Sequence, residues 1–419
     1  MFTTKLKMKW WFISLLFLAF FLWRLLNIPK LSLPKNQPVK MIGRVTKQPY
    51  LKGSYQIINV GPVLITTNRF PGYFYGDKLM IVGEFKKQVI NSFLTQYFAF
   101  FPTIQKIEEE KNLVSQRNFI RWLLKTRGQV EGNLNQLLPE PHASLLLGVI
   151  FGVKSQMPEN FWQNLRKTGT LHLVVASGQN VVLVSGFLMN VLLWFLKRKV
   201  AIFFSLLGIL VYVLMVGAEA PAVRAGLMAT MIAVGQLFGR EGNPGKFLLI
   251  TAMLMLLISP LMLFDIGFQL SFAATAGLVW FYPFLKSKAL NLAKIPLLGE
   301  GLLISLAAQT TTLPLLWFNF GQFSWLSPLV NSLVLPIIPI VMILGTLLAG
   351  LSFISKLLAQ LLAWFVWPFL TWFIKVVDFF GQLSLGSLEL GKISWLWLVG
   401  YYFLLGMILW RFYERERSS

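Results

Sequence analysis

The sequence predicts a polytopic α-helical membrane protein of about ten transmembrane helices, with a small extracellular β-barrel domain near its N-terminus. Three observations predict it. Of 419 residues, 56% are hydrophobic and only 13% are charged, against about 25% charged in an ordinary soluble domain. From about residue 170 onward the apolar residues gather into successive runs of bilayer length. Residues 36–111 break that pattern with short β-rich runs separated by Gly and Pro.

Lys5, Lys7 and Lys9 precede an apolar run over Trp10–Leu26, about 17 residues and just enough to cross a bilayer with little tilt. No small-residue cleavage site follows it, so 1–27 reads as a retained first helix with a cytoplasmic N-terminus. The runs V-K-M-I-G-R-V, Y-Q-I-I-N-V, V-L-I-T-T and K-L-M-I-V-G-E-F then predict about five strands over 36–111, with Gly76-Asp77 opening the last pair. Five short strands suit an OB-like barrel, a fold that binds oligonucleotides in some proteins and acts as a spacer in others. Residues 112–168 read as amphipathic linker helices. Leu145–Val153 within them is too short to span and reads as re-entrant or interfacial.

Residues 169–412 form the transmembrane domain, and 413–419 a cytoplasmic tail. Nine spans are expected, near 171–196, 200–216, 221–239, 246–264, 266–285, 299–318, 324–352, 356–380 and 394–412. Basic residues fall at every second joint: Lys197-Arg198-Lys199, Arg240 with Lys246, Lys286 with Lys288, Lys356, and Arg411 with Arg415. Basic joints belong in the cytoplasm. Both termini are then on the cytoplasmic side of the plasma membrane, the β domain is outside, and His172, Glu219, Arg224 and Asp265 lie near the outer face.

The formal charge is +22, from 38 Lys and Arg against 16 Asp and Glu. That excess serves either as a topology signal or as an attraction for an anionic partner such as lipid head groups or nucleic acid. The chain has no cysteine and two histidines, His142 and His172, so no metal centre and no cofactor is expected. Gly239 to Lys246 has five residues between its outer glycines and Phe247 after the lysine, which is not a phosphate-binding Walker loop. Ala176-Ser177-Gly178 is not a nucleophile elbow.

Four stretches stand out within the apolar runs. Gly169–Phe187 is interrupted by His172 and then by Ser177, Gly178, Gln179 and Asn180. Broken backbone at membrane depth is tolerated only inside protein or beside a water-filled cavity. A serine nucleophile using His172 would need the two to converge. Five residues apart, they diverge by about 140° on a regular helix. In the second stretch Pro221 opens a span and Arg224 sits one turn in, either snorkelling to the interface or fixed as a cation for a phosphate or a carboxylate. In the third Asp265 is a natural helix N-cap, Gly267, Ser271 and Thr275 make a small face for close packing, and Gln269 lies off that face where it could line a channel. In the fourth Gln309 shares a face with Ser305 and Thr312 before Pro314, and Asn331, Pro336 and Pro339 interrupt the next span. Such features mark either substrate routes or interhelical hydrogen bonds.

The order of these segments resembles the ComEC family of competence proteins. The matching runs are S-L-L-L-G-V-I-F-G, R-K-T-G-T-L-H-L-V-V-A-S-G-Q-N-V, A-P-A-V-R-A-G-L-M, F-D-I-G-F-Q-L-S-F, S-L-A-A-Q-T-T-T-L-P-L-L-W-F-N-F-G and L-V-N-S-L-V-L-P, covering about 143–345. The resemblance implies a non-enzymatic inner-membrane channel that takes up single-stranded DNA during natural transformation. Its path would be lined by His172, Ser177, Gln179, Asn180, Arg224, Asp265, Gln269, Gln309 and Asn331, with Gly178, Pro221, Gly267, Ser271, Pro314 and Pro336 breaking or packing the helices. Membrane lipids, a separate nuclease, a DNA receptor and a cytoplasmic DNA motor are the implied partners, and a homo-oligomer is left open. The family usually carries Ser-Gly-Leu-His where this chain has Ser177-Gly178-Gln179-Asn180, so a role that needs an imidazole at 180 cannot operate. Many members also carry a metallo-β-lactamase-like domain, which is not expected here. The other readings are a small-molecule or ion transporter, and a membrane enzyme acting on lipid or wall precursors through His172 and Asp265.

Overall fold

The computed structural model describes residues 15–27, 34, 37–52, 54–89, 95–107, 115–153, 157–175, 177–237, 242–289, 299–383, 387–389, 391 and 394–418. The chain divides into two units, Met1–Thr126 with Ile250–Asp265, and Arg127–Leu249 with Ile266–Ser419.

In the first unit eight strands follow helix α1 (Leu15–Leu26). They are β1 (Val39–Arg44), β2 (Tyr50–Lys52), β3 (Tyr55–Val60), β4 (Val63–Asn68), β5 (Lys78–Gly83), β6 (Lys86–Val89), β7 (Thr95–Phe100) and β8 (Thr103–Ile107). Alternation drives them: Ile58 and Val60, Val63 and Ile65, and Leu79 and Ile81 point inward at every second position and meet Tyr97 in one apolar core. The expected OB-like barrel of about five strands is corrected. The strands form two open sheets, in the orders β1-β5-β8 and β2-β3-β4-β7-β6, and no ladder closes them among the described residues. The division falls at Phe101-Pro102. Phe101 adopts a positive φ of 49° and Pro102 has no N–H to donate, so the run over 95–107 leaves one sheet and enters the other. A backbone bond of 2.9 Å from Thr46 N–H to the Asn59 carbonyl ties the end of β1 to β3.

Asp77 locks this unit. It is 3% exposed and its carboxylate accepts from the Phe74 N–H at 3.0 Å, pairs with Lys106 at 3.0 Å and pairs with Arg121 of helix α2 (Ser115–Leu137). In the same unit, Arg24 of α1 donates to the carbonyls of Leu257 and Ile258. These close helix α9 (Pro244–Ile258), where orphan carbonyls favour a cation.

The second unit is helical. It continues with α3 (His142–Phe151), α4 (Glu159–Lys167), the single turn α5 (Leu171–Val174), α6 (Gly178–Phe195), α7 (Arg198–Met215) and α8 (Ala220–Leu237). After α9 come α10 (Ile266–Lys288), α11 (Gly299–Phe320), α12 (Ser327–Val334), α13 (Ile338–Ile354), α14 (Lys356–Gly381) and α15 (Trp395–Ser418). Two short strands, β9 (Gln322–Ser324) and β10 (Ser387–Glu389), pair antiparallel. Among the described residues eight helices are long and apolar enough to cross a membrane: α6, α7, α8, α10, α11, α12 with α13, α14 and α15. This is a polytopic membrane protein.

The count differs from the expected ten at two places, and one further span starts later than expected. The span placed at 171–196 begins only at Gly178. The one placed at 246–264 is the 15-residue α9, stopped at Ser259 before a 3-10 turn at Pro260–Phe264. The first helix is described over Leu15–Leu26, and the beginning of its apolar run lies outside the described residues.

In α3, Ala143 through Phe151 are all buried. A ten-residue apolar helix suits a protein core. With its flanks it runs alongside α14. Asn133 donates to Ser352 Oγ at 3.2 Å just before α14 begins, His142 Nε2 meets Thr371 Oγ1 at 3.0 Å, and Asn164 donates to Asp378 at 2.8 Å near its end. Within α11, Pro314 does not end the helix, which runs on to Phe320. Proline leaves the carbonyl four residues back without its donor. The Tyr401 hydroxyl donates to that carbonyl, Thr310, at 2.9 Å, and Tyr402 to Thr311 at 2.7 Å.

Candidate functional site

The site is built where α6 begins. After α5 the chain is extended at Val175 and again at Ser177, which caps α6. Ser177 Oγ accepts from the Asn180 N–H at 3.3 Å and donates to Asn180 Oδ1 at 2.9 Å. Asn180 is 1% exposed, and its Nδ2 donates to the Val149 carbonyl of α3 at 2.9 Å. The last carbonyls of a helix have no partner within it. Here Gly152, in the left-handed region at φ 69°, donates to Gly148, Asn180 serves Val149, and the Tyr212 hydroxyl of α7 serves Ile150 at 2.9 Å. Asn180 therefore clasps α6 to α3, a task that needs one N–H donor.

Arg224 approaches the same place from α8. It is 8% exposed, buried rather than extended toward a surface. Its guanidinium lies against Gly178, where an added Cβ would run into Nη2, and faces the Phe272 ring at 5.9 Å. Its Nε has no hydrogen-bond partner, and no carboxylate pairs with the side chain, among the described residues. Pro221 is the second residue of α8, as a helix start favours. Gln179 is exposed beside Gly178 on the first turn of α6.

The other predicted residues take separate places. His172 is exposed in α5, and its Nδ1 meets the Gly169 carbonyl at 2.9 Å. Asp265 is extended immediately before α10, the backbone an N-cap requires. Gln269 is half-buried on α10, and the Ser271 carbonyl accepts from Thr275 Oγ1 at 3.0 Å. On the same helix the backbone approaches a neighbour closely at Gly277. A Cβ there would lie 2.5 Å from the Ala307 carbonyl oxygen of α11. Asn331, 4% exposed, donates to Ser305 Oγ at 3.0 Å and Ser327 Oγ at 3.1 Å, which makes it an interhelical tie. Gln309 donates to the Ser324 carbonyl at 2.8 Å. Pro336 sits in the 3-10 turn Leu335–Ile337 that separates α12 from α13.

The residues missed by sequence reasoning are the supports: Tyr212, Phe272, Gly277, Tyr401 and Tyr402. The tyrosines carried a signal, since a hydroxyl inside an apolar span needs a partner.

A family model described as Competence protein matches residues 149–415, well over half of the chain. The chain belongs to the competence protein family. The matched residues begin inside α3 and take in the whole meeting point of α6, α8 and Phe272. ComE operon protein 3 of Bacillus subtilis is 28% identical over 274 residues, 65% of this chain and 34% of that protein. Uncharacterized protein MG316 of Mycoplasma genitalium is 26% identical over 336 residues, 76% of this chain and 77% of its own length. Competence protein ComA of Neisseria gonorrhoeae is 27% identical over 210 residues, 46% of this chain and 28% of that protein. The competence-family chain thus spans about a third of the Bacillus relative's length. No solved structure matches it.

Proposed function

We propose that this competence-family protein admits DNA as a single strand across the cytoplasmic membrane during natural transformation, acting as a channel and not as an enzyme. One observation carries the reading: a cation, Arg224, is buried among membrane-spanning helices with no carboxylate paired to it among the described residues. Ionisable groups at such depth face a pore, a partner or a substrate path. A polyanion cannot enter hydrocarbon and needs a wet route with donors and a few cations. The alternating basic joints support cytoplasmic termini and an external sheet unit. A separate nuclease, a DNA receptor and a cytoplasmic motor are the partners such a channel requires, and membrane lipids surround it.

Uptake of labelled DNA by a strain deleted for the gene tests the reading. Internalised single strands should vanish on deletion and return with the wild-type copy. Unchanged transformation with loss of a small-molecule flux would replace the channel with a transporter.

A further inference from the structure

We propose that the N-terminus of α6 and the Arg224 guanidinium together form a built site for one phosphate group, the phosphodiester of a passing nucleic acid strand. The source of that phosphate rests on the channel reading, but the site itself does not.

Two sources of positive potential converge at Gly178. One is the helix. α6 has 18 residues, and the first N–H groups of a helix have no partner inside it. Ser177 Oγ takes the N–H of Asn180, which leaves those of Gly178 and Gln179 at the open end. A helix terminus of this kind favours an anion through both its donors and its dipole. The other source is Arg224, more than nine-tenths buried and aimed at Gly178, with Nε unpartnered among the described residues.

A guanidinium facing a helix N-terminus is repulsive by itself. No described carboxylate lies within ion-pair distance of it, and the Phe272 ring at 5.9 Å offers only its quadrupole. A phosphate that bridges the two resolves the conflict, because it accepts from the fork of the guanidinium and from backbone N–H groups together. Glycine at 178 is what brings the two sources so close, since any Cβ would push Arg224 away. The Asn180 bond to α3 holds the start of α6 in place, so the donors are ordered before a ligand arrives.

The test uses the full chain in phosphatidylcholine nanodiscs with selective 15N-glycine labelling. The Gly178 amide is assigned by its disappearance in Gly178→Ala. Titration with inorganic phosphate, and separately with oligo(dT), should shift that amide in the wild-type protein. Affinity should fall by about tenfold or more in Arg224→Gln, from the loss of charge-assisted hydrogen bonds, and by less in Arg224→Lys, which keeps the charge without the fork. An unmoved Gly178 amide in the wild-type protein overturns the proposal, and needs no variant to fold. Equal affinity in Arg224→Gln overturns it too. A shift that appears only in phosphatidylglycerol nanodiscs, with no response to phosphate or oligo(dT), would assign the site to a lipid headgroup and overturn the nucleic acid source. The two readings fail separately. Binding that persists while deletion leaves transformation intact sinks the channel and keeps the site. Absent binding, with transformation lost on deletion, sinks the site and keeps the channel.

Discussion

Asp77 in the sheet unit and Arg224 in the helical unit are both buried charges, and their surroundings are opposite. Asp77 accepts a backbone N–H and two cations, with Lys106 and Arg121 half exposed around it. Arg224 has an aromatic face and a glycine, and no described counter-charge. A compensated buried charge is a structural lock. An uncompensated one stores an unfavourable energy that a ligand can relieve. The contrast separates a charge that its neighbours pair from one that no described carboxylate pairs.

Breaking the lock should give the largest loss of stability. Asp77→Ala removes the carboxylate that accepts the Phe74 N–H and both ion pairs, and should cost about 3 kcal/mol, from hydrogen bonds to a charged group. The cost stays below that of a fully buried pair, because Lys106 and Arg121 can return to solvent. Thermal unfolding and limited proteolysis of the full chain should show early cleavage at the β-strand loops. Arg224→Gln is the counterpart. It should leave the unfolding midpoint unchanged or raised, since it removes a buried charge with nothing to pair, while DNA uptake falls. A large loss of stability in Arg224→Gln would erase the contrast.

Asn180→Ala should come next, at about 1–3 kcal/mol, because the Val149 carbonyl of a wholly buried helix loses its donor. A histidine at the same position retains an N–H. Asn180→His should therefore keep most of the stability that alanine loses, measured as the unfolding midpoint in one detergent. If alanine is tolerated as well as histidine, the clasp is not what the position is for.

Smaller again is Tyr401→Phe, about 1 kcal/mol, which returns the Thr310 carbonyl opposite Pro314 to an unpaired state. Combining it with Pro314→Ala should recover that loss, since the helix then supplies its own N–H. A double variant no better than Tyr401→Phe would detach the tyrosine from the proline.

These supports mark the boundary of what sequence reasoning reaches. The membrane class, the break before α6 and the turn at Pro336 were legible because each is a local departure from an apolar run. The role of Asn180 was not, because its partner is the Val149 carbonyl on another helix. α3 was ambiguous in kind, since ten apolar residues read alike in a core and at an interface. The sheet unit is legible as strands but not as two separate sheets, because the exit at Phe101-Pro102 depends on one positive φ within a continuous β-rich run. Arg224 was singled out by its charge, but whether it snorkels or turns inward depends on a glycine 46 positions earlier in the chain.

The smallest effect sharpens the comparison most, because it alters the surroundings of Arg224 and leaves the residue intact. Phe272→Leu removes the only π-face described against the guanidinium and should cost about 0.5–1 kcal/mol in the protein without ligand. Leucine keeps the apolar wall, so helix packing should survive. If the aromatic ring is the main relief of the unpaired cation, its loss makes a bound anion more valuable. The stabilisation by inorganic phosphate, read as a shift in unfolding midpoint, should then be larger in Phe272→Leu than in the wild-type protein. Arg224→Gln should abolish that shift in both backgrounds. A phosphate response that shrinks in Phe272→Leu would mean that the ring shapes the phosphate site directly, and would place Phe272 among the ligand's contacts instead of behind the arginine.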